Sequence, residues 1–241
     1  MRCFATGLGI RTKTDGVDSI ALARYGALVQ PPLWTPPPAH VRTLRALLAR
    51  REAIAQDLRR ERNRQEKALA AQSVALVCHS LEASIAFLRQ QLKDIERQID
   101  QHIDRHPDLK ADMGLLQSIA AVGGKVGTQM TSLLRSRRFA TAEQLAAYLG
   151  LVPVERQSGS SVLGKARLSK AGPAAIRATL YMAAVVATRH NPHVKTLYER
   201  LLAAGKSKMA AIGAAMRKLV HLCFGVWKHQ KPYQADFLKN T

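Results

Sequence analysis

Residues 81–99 read LEASIAFLRQQLKDIERQI, and Leu81, Ile85, Leu88, Leu92, Ile95 and Ile99 fall at intervals of four, three, four, three and four. That heptad spacing lays one apolar seam along an α-helix, the arrangement that packs helices as a coiled coil. Upstream, Leu44, Leu47, Leu48, Ile54 and Leu58 supply a second stripe on a segment rich in arginine: Arg42, Arg45, Arg50, Arg51, Arg59, Arg60, Arg62 and Arg64. Two long helices folded into a hairpin over residues 39–105 follow from these patterns. The arginines could reach phosphates with planar, two-pronged hydrogen bonds, or could simply solvate the exterior of a coiled coil.

Working outward, PPLWTPPP at residues 31–38 has five prolines in eight positions. Proline lacks an amide donor and fixes its backbone angle, so this stretch is an extended linker. Before it, TDGVDSIALARYGAL predicts a short helix entered at Thr14 or Asp15. Beyond the hairpin, LLQSIAAVGGKVGTQMTSLL at 115–134 predicts two helices joined at Gly123-Gly124, followed by Lys125. Such a turn resembles a helix-hairpin-helix, which aims backbone N–H groups at a phosphate, and equally suits a plain glycine cap. Thr141 with Gln144 forms a capping box for a helix ending near Leu149. Gly172-Pro173 opens an alanine-rich helix, and further helices are expected over 192–203 and 208–229. Strand candidates are few, so the fold class is mainly α. The chain divides into 1–38, a coiled-coil hairpin over 39–110, and a C-terminal domain over 111–241.

The chain has 241 residues, with 37 Lys and Arg against 17 Asp and Glu, a formal charge of +20. From Arg156 onward, fifteen basic residues meet only Glu199 and Asp236, so about a third of the chain carries +13. Such asymmetry calls for a polyanionic partner, nucleic acid first among them. Cys3, Cys78 and Cys223 are odd in number and lack metal-ligand spacing, which fits a reducing cytoplasm. No apolar run approaches the ~20 residues that span a bilayer, so no membrane partner is expected.

The most cationic pliable stretch is RQSGSSVLGKARLSKAG, residues 156–172, which reads as a glycine- and serine-rich loop. Together with KTDGVDSIALARYGA, LLQSIAAVGG, FATAEQLAAYLGLVP, IRATLYMAAVVATR and MRKLVHLCFGVWK, it closely resembles in order and spacing the insertion sequence 110 family of bacterial transposases. The resemblance implies an N-terminal ribonuclease-H-like domain with a DEDD acidic tetrad, a coiled-coil hairpin and a C-terminal transposase domain with an essential serine. In the family's KTD motif two tetrad aspartates fall on Asp15 and Asp18, which would hold Mg²⁺. A spacing of three puts both carboxylates on one helix face. The family's nucleophile falls on Ser158, with Ser160 and Ser161 as alternatives by spacing, and Arg156, Lys165, Arg167 and Lys170 as phosphate contacts.

The implied chemistry is DNA strand exchange through a 5′- or 3′-linked phosphoserine. The implied partners are element-end and target DNA, a noncoding guide RNA, and further copies of the chain joined through the coiled coil, so that the two sites meet between protomers. Two departures accompany the match. The chain begins just before the KTD motif, which implies half a metal site and leaves two expectations: a recombinase, or an inactive remnant that binds nucleic acid and dimerises. The family's PGIG is replaced by Ala120, Ala121, Val122 and Gly123.

Overall fold

Proline decides where the chain divides. In the computed structural model, which describes residues 2–31, 33–158 and 162–235, one unit is Met1–Pro36 and the other Pro37–Thr241. The break falls inside the proline run, where backbone amide donors are missing.

The first unit holds α1 (Arg2–Gly7) and α2 (Asp15–Val29). Thr14 caps α2, its Oγ1 accepting from the Val17 N–H at 3.4 Å. Phe4 and Tyr25 meet edge to face at 5.2 Å, joining the two helices, and Ala21 is buried.

The second unit opens with α3 (Ala39–Ala70) and α4 (Ala75–Asp104), whose reversal uses left-handed backbone at Gln72. Of the six seam residues of α4, Ile85, Ile95 and Ile99 are buried and Leu81, Leu88 and Leu92 half-buried. Ile54 and Leu58 are buried on α3, and Arg51 donates to Glu96 Oε1 at 2.6–2.8 Å across the pair. At the open end of the hairpin Val41, Leu44, Ile99 and Ile103 join Leu109 of α5 (Pro107–Gln117) in one cluster. Each such buried Leu or Ile contributes about 1.5–3 kcal/mol, which fastens the hairpin to the rest of the unit.

There follow α6 (Gly124–Ser136), α7 (Ala142–Tyr148), an antiparallel pair β1 (Pro153–Ser158) and β2 (Val162–Leu168), and then α8 (Ala174–His190), α9 (Pro192–Ala203) and α10 (Lys208–His229). The main core lies among α6, α7, α8 and α10, with Leu145, Leu149, Leu180, Leu219 and Cys223 fully buried. Ala183, Ala184 and Ala187 on α8 and Ala211 and Ala215 on α10 are buried too, and small side chains let these helices approach closely. Caps follow sequence chemistry: Thr141 accepts from the Gln144 N–H at 3.3 Å, while the Gln144 side chain turns back to Ala140 N–H at 2.9 Å. The fold is mainly α, as expected.

Two expectations need correction. The stretch around Ser158 contains two antiparallel strands, Pro153–Ser158 and Val162–Leu168, where a pliable loop was expected. Short alternation through Val162, Gly164 and Ala166 was masked by glycine and serine. The expectation that no apolar run approaches membrane-spanning length also fails for α10, a 22-residue helix that holds an 18-residue window of mean hydropathy 1.4. Half of that apolar window is buried inside the protein, and the helix packs on α7, α8 and α9. Its apolarity serves the core.

Candidate active site and nucleic-acid interface

Ser158 is the last residue of β1, its Cα paired with Val162 of β2. Gly159, Ser160 and Ser161 lie outside the described residues, as do the side chains of Arg156, Ser158 and Lys165. The backbone pairs Arg156 with Gly164 and Val154 with Arg167, with a register irregularity between Val154 and Arg156. Arg167 and Lys170 are exposed, and neither has an ion-pair partner among the described residues. The hairpin therefore brings the backbone of Ser158 into one element with Arg156, Lys165 and Arg167, and Lys170 follows at its foot.

A lone two-stranded hairpin is marginal in water, so its foot matters. Gly150 has φ +69° and Gly172 φ +81°. A Cβ on Gly150 would overlap the Ala171 carbonyl oxygen, and one on Gly172 the Tyr148 carbonyl oxygen. The strands leave and return through this crossing. Ser169 N–H donates to Val152 O at 2.9 Å and Lys170 N–H to Gly150 O at 3.2 Å. Arg177 of α8 then donates through Nη1 to Ala171 O at 2.8 Å and Gly172 O at 3.0 Å. Above the foot, Leu168 packs against α10 where a Cβ on Gly213 would crowd its Cδ1 at 3.1 Å.

Gly123 and Gly124 start α6, with Gly123 at its N-cap in extended backbone and no side-chain cap. Neither has positive φ. The left-handed residue of this turn is Ala121, at φ 79°, on the second position of the family's PGIG pattern. Lys125 is exposed in the first turn of α6. The turn is held from below, because Asn191 Nδ2 donates to Ala120 O at 3.3 Å and Tyr233 N–H to Ser118 Oγ at 2.8 Å.

Asp15 and Asp18 occupy the first turn of α2. Neither carboxylate has a hydrogen-bond or ion-pair partner among the described side chains, although Ser19 Oγ donates to the Asp15 backbone O at 2.7 Å. Asp18 lines a cavity of about 680 Å³ with Arg11 and Lys13. Two unengaged carboxylates match the hard oxygen donors that Mg²⁺ takes. They supply two ligands, and among the described residues no group of three or more metal-ligating side chains assembles.

Residues 113–199, which contain the α5–α6 turn, the serine hairpin and α8, match the family model described as Transposase IS116/IS110/IS902 family. The chain is 34% identical to a pilin gene-inverting protein of Moraxella lacunata over 235 residues, 97% of this chain and 71% of the relative. The Moraxella bovis protein of the same name matches equally. This chain belongs to the IS116/IS110/IS902 transposase family. An insertion element IS110 43.6 kDa protein of Streptomyces coelicolor is 25% identical over 161 residues, covering 66% of this chain and 38% of the relative. The family comprises the transposases and recombinases of insertion sequences, DNA-rearranging enzymes whose partner is DNA.

In this transposase a buried carboxylate ties several helices together. Asp112 of α5 is fully buried, and its Oδ2 accepts from Arg135 Nε at 2.5 Å and Trp227 Nε1 at 2.9 Å. Arg135 also lies 3.6 Å from Asp108 Oδ2, which is 3.0 Å from His40 Nε2 at the start of α3. A polar chain thus runs from α3 through α5 and α6 to α10. Burial pushes the Asp108 pKa up, but the hydrogen bond and charge of His40, the Leu109 N–H and Arg135 outweigh it and hold the carboxyl below its ordinary value. The Asp112 hydrogen bond raises the Arg135 pKa further. Burial pushes the Cys223 thiol up to about 12, so it is an inert core residue rather than a nucleophile. In sequence Asp112 and Arg135 look like ordinary charged helix positions, 23 residues apart.

Proposed function

We propose that this transposase cuts and rejoins DNA through Ser158, with Asp15 and Asp18 as oxygen ligands for Mg²⁺, in a homo-oligomer directed by a noncoding guide RNA. The observation that carries the reading is one hairpin that ends a strand at Ser158 and sets the exposed cations Arg167 and Lys170 at its base, inside the family-matched segment. Ser158 Oγ attacks a phosphodiester phosphorus. An Oγ–P bond forms, the P–O bond to one deoxyribose breaks, and the released sugar oxygen takes the proton lost by the serine. A hydroxyl of another strand then attacks the phosphoserine, frees Ser158 and joins the new strand. Arg167 and Lys170 would offset the charge that builds on the phosphoryl oxygens. Mg²⁺, when bound, supplies further stabilisation of phosphate charge.

The charge of +20 supports binding of both DNA and RNA. Exposed Leu69, Val74, Leu76 and Phe87 on the α3–α4 hairpin support assembly of copies through it. The names of the Moraxella proteins support inversion of a DNA segment as the type of rearrangement.

The test is a covalent-trapping assay with element-end DNA, guide RNA and Mg²⁺, resolved on a denaturing gel. The native chain is expected to give a protein–DNA adduct that Ser158→Ala reduces to background. An adduct that survives in Ser158→Ala and disappears in Ser160→Ala or Ser161→Ala moves the nucleophile. No adduct with any of these chains overturns the reading.

A further inference from the structure

A groove of about 300 Å³ lies between the hairpin helix α3 and the domain that carries Ser158, walled by α6, α7 and the first turn of α8. Arg45 reaches it from α3 and Arg137 from the end of α6. The Arg137 guanidinium sits 4.7 Å over the Tyr148 ring, which pins a group that would otherwise lose rotamer freedom on binding. No ion pair occupies either arginine among the described residues. Glu52 is the one acid on the wall, and it already accepts from Gln56 Nε2 at 3.3 Å.

Two further observations narrow the occupant. Gln129 Oε1 is buried on the groove wall and has no hydrogen-bond partner. An orphaned buried acceptor is unfavourable until a donor reaches it. The groove also opens on Pro173, Ala175 and Ile176, the start of a 17-residue helix with no side-chain cap on its first amides. Free N–H groups and a positive helix end favour an anion there. The remaining wall, with Leu48 and Ile176, is apolar.

Cations for a phosphate, an apolar wall for a flat ring, and an unmet acceptor for an amino group are together the chemistry of one nucleotide. A duplex stacks its base faces against one another and shows only base edges in its grooves, so a base lying flat on this wall belongs to an unpaired nucleotide. We propose that this groove captures a single unpaired nucleotide of a nucleic-acid strand, its phosphate at Arg45 and Arg137 and its base against the wall carrying Gln129. This rests on the nucleic-acid-binding reading above and deepens it by naming a contact site beside the foot of the serine hairpin.

The experiment measures fluorescence anisotropy with labelled single-stranded deoxy- and ribo-oligonucleotides of one sequence and with the blunt DNA duplex, across a salt series. Arg45→Ala/Arg137→Ala is compared with Arg59→Ala/Arg62→Ala, which removes equal charge from exposed positions further along α3. Gln129→Glu keeps the side-chain volume and places an anion in the groove. The groove pair and Gln129→Glu are expected to weaken single-strand binding by about tenfold or more, and the control pair by less than about threefold. A larger loss on the ribo-strand identifies RNA as occupant, and a larger loss on the deoxy-strand identifies DNA. Equal losses for the two double variants, or equal losses on duplex and single strand, overturn the groove and leave a diffuse basic surface. Absence of all binding by the native chain overturns the nucleic-acid reading itself.

Discussion

Ala121 holds a backbone conformation that costs an L-residue about 1–2 kcal/mol. Replacing it with glycine removes that strain, while part of the gain is lost to the freer unfolded chain and to the methyl packed at the core edge. Ala121→Gly is therefore expected to stabilise the protein by about 0.5–1 kcal/mol, read from the midpoint of chemical denaturation. A lower midpoint would show that the methyl contact outweighs the strain. His193 gives the opposite kind of residue effect. Burial first, and then the charge of Lys218, hold its pKa below the ordinary value. Its Nδ1 is 2.7 Å from the Tyr233 hydroxyl and its Nε2 is buried without a partner. Because the folded pKa is depressed, the unfolded chain takes up the proton first as pH falls. Stability is thus intact above about pH 6.5 and is lost as pH drops through the folded pKa. His221, lowered by burial against the opposing charge of Glu143, adds to the same trend. Thermal melts from pH 8 to 5 are expected to show a decline beginning near pH 6.5 and shallower in His193→Gln. An equal decline in that variant would assign it elsewhere.

At the scale of elements, the serine hairpin depends on its crossing more than on its ladder. Gly172 has φ +81°, and a side chain there would strike the Tyr148 carbonyl. Gly172→Ala should cost about 2–3 kcal/mol through strain and steric overlap, and should abolish the Ser158 adduct before the helices melt. Circular dichroism beside the trapping assay separates the two effects. Full adduct formation by Gly172→Ala would mean that the foot does not position the serine. The β-pair was hidden in the sequence because glycines and serines break its alternation, whereas Thr14 and Thr141 announced the starts of α2 and α7 by ordinary capping chemistry.

At the scale of the molecule, the second unit is tied across its length by His40, Asp108, Arg135, Asp112 and Trp227. Removing one partner of a buried pair leaves the other unmet. Asp112→Ala is expected to destabilise the unit by about 3 kcal/mol and to loosen α3–α4 from α5. Hydrogen exchange at α3 and α5 should rise together, and protection unchanged at α3 would confine the network to the domain core. Asp108 contributes with a definite sign: its depressed folded pKa means that its stabilisation is present above the ordinary carboxyl value and disappears as pH falls through the folded one.

The sequence alone determined most of the helices, though not α1, because apolar periodicity, capping side chains and proline are local signals. Leu81 to Ile99 marked α4, the prolines of 31–38 marked the division into units, and Pro192 marked the start of α9. Six motifs in order carried the family, because a motif is read along the chain. The sequence also placed Asp15, Asp18 and Ser158 in those motifs, without showing what surrounds them. Tertiary structure alone decided that the Ser158 stretch pairs as strands, that Asp112 is buried against Arg135 and Trp227, and that Arg45, Gln129 and Arg137 line one groove. Each of these joins residues from separate elements. Such meetings are set by how whole helices pack, and side-chain identity at one position carries no record of the partner that packing brings to it.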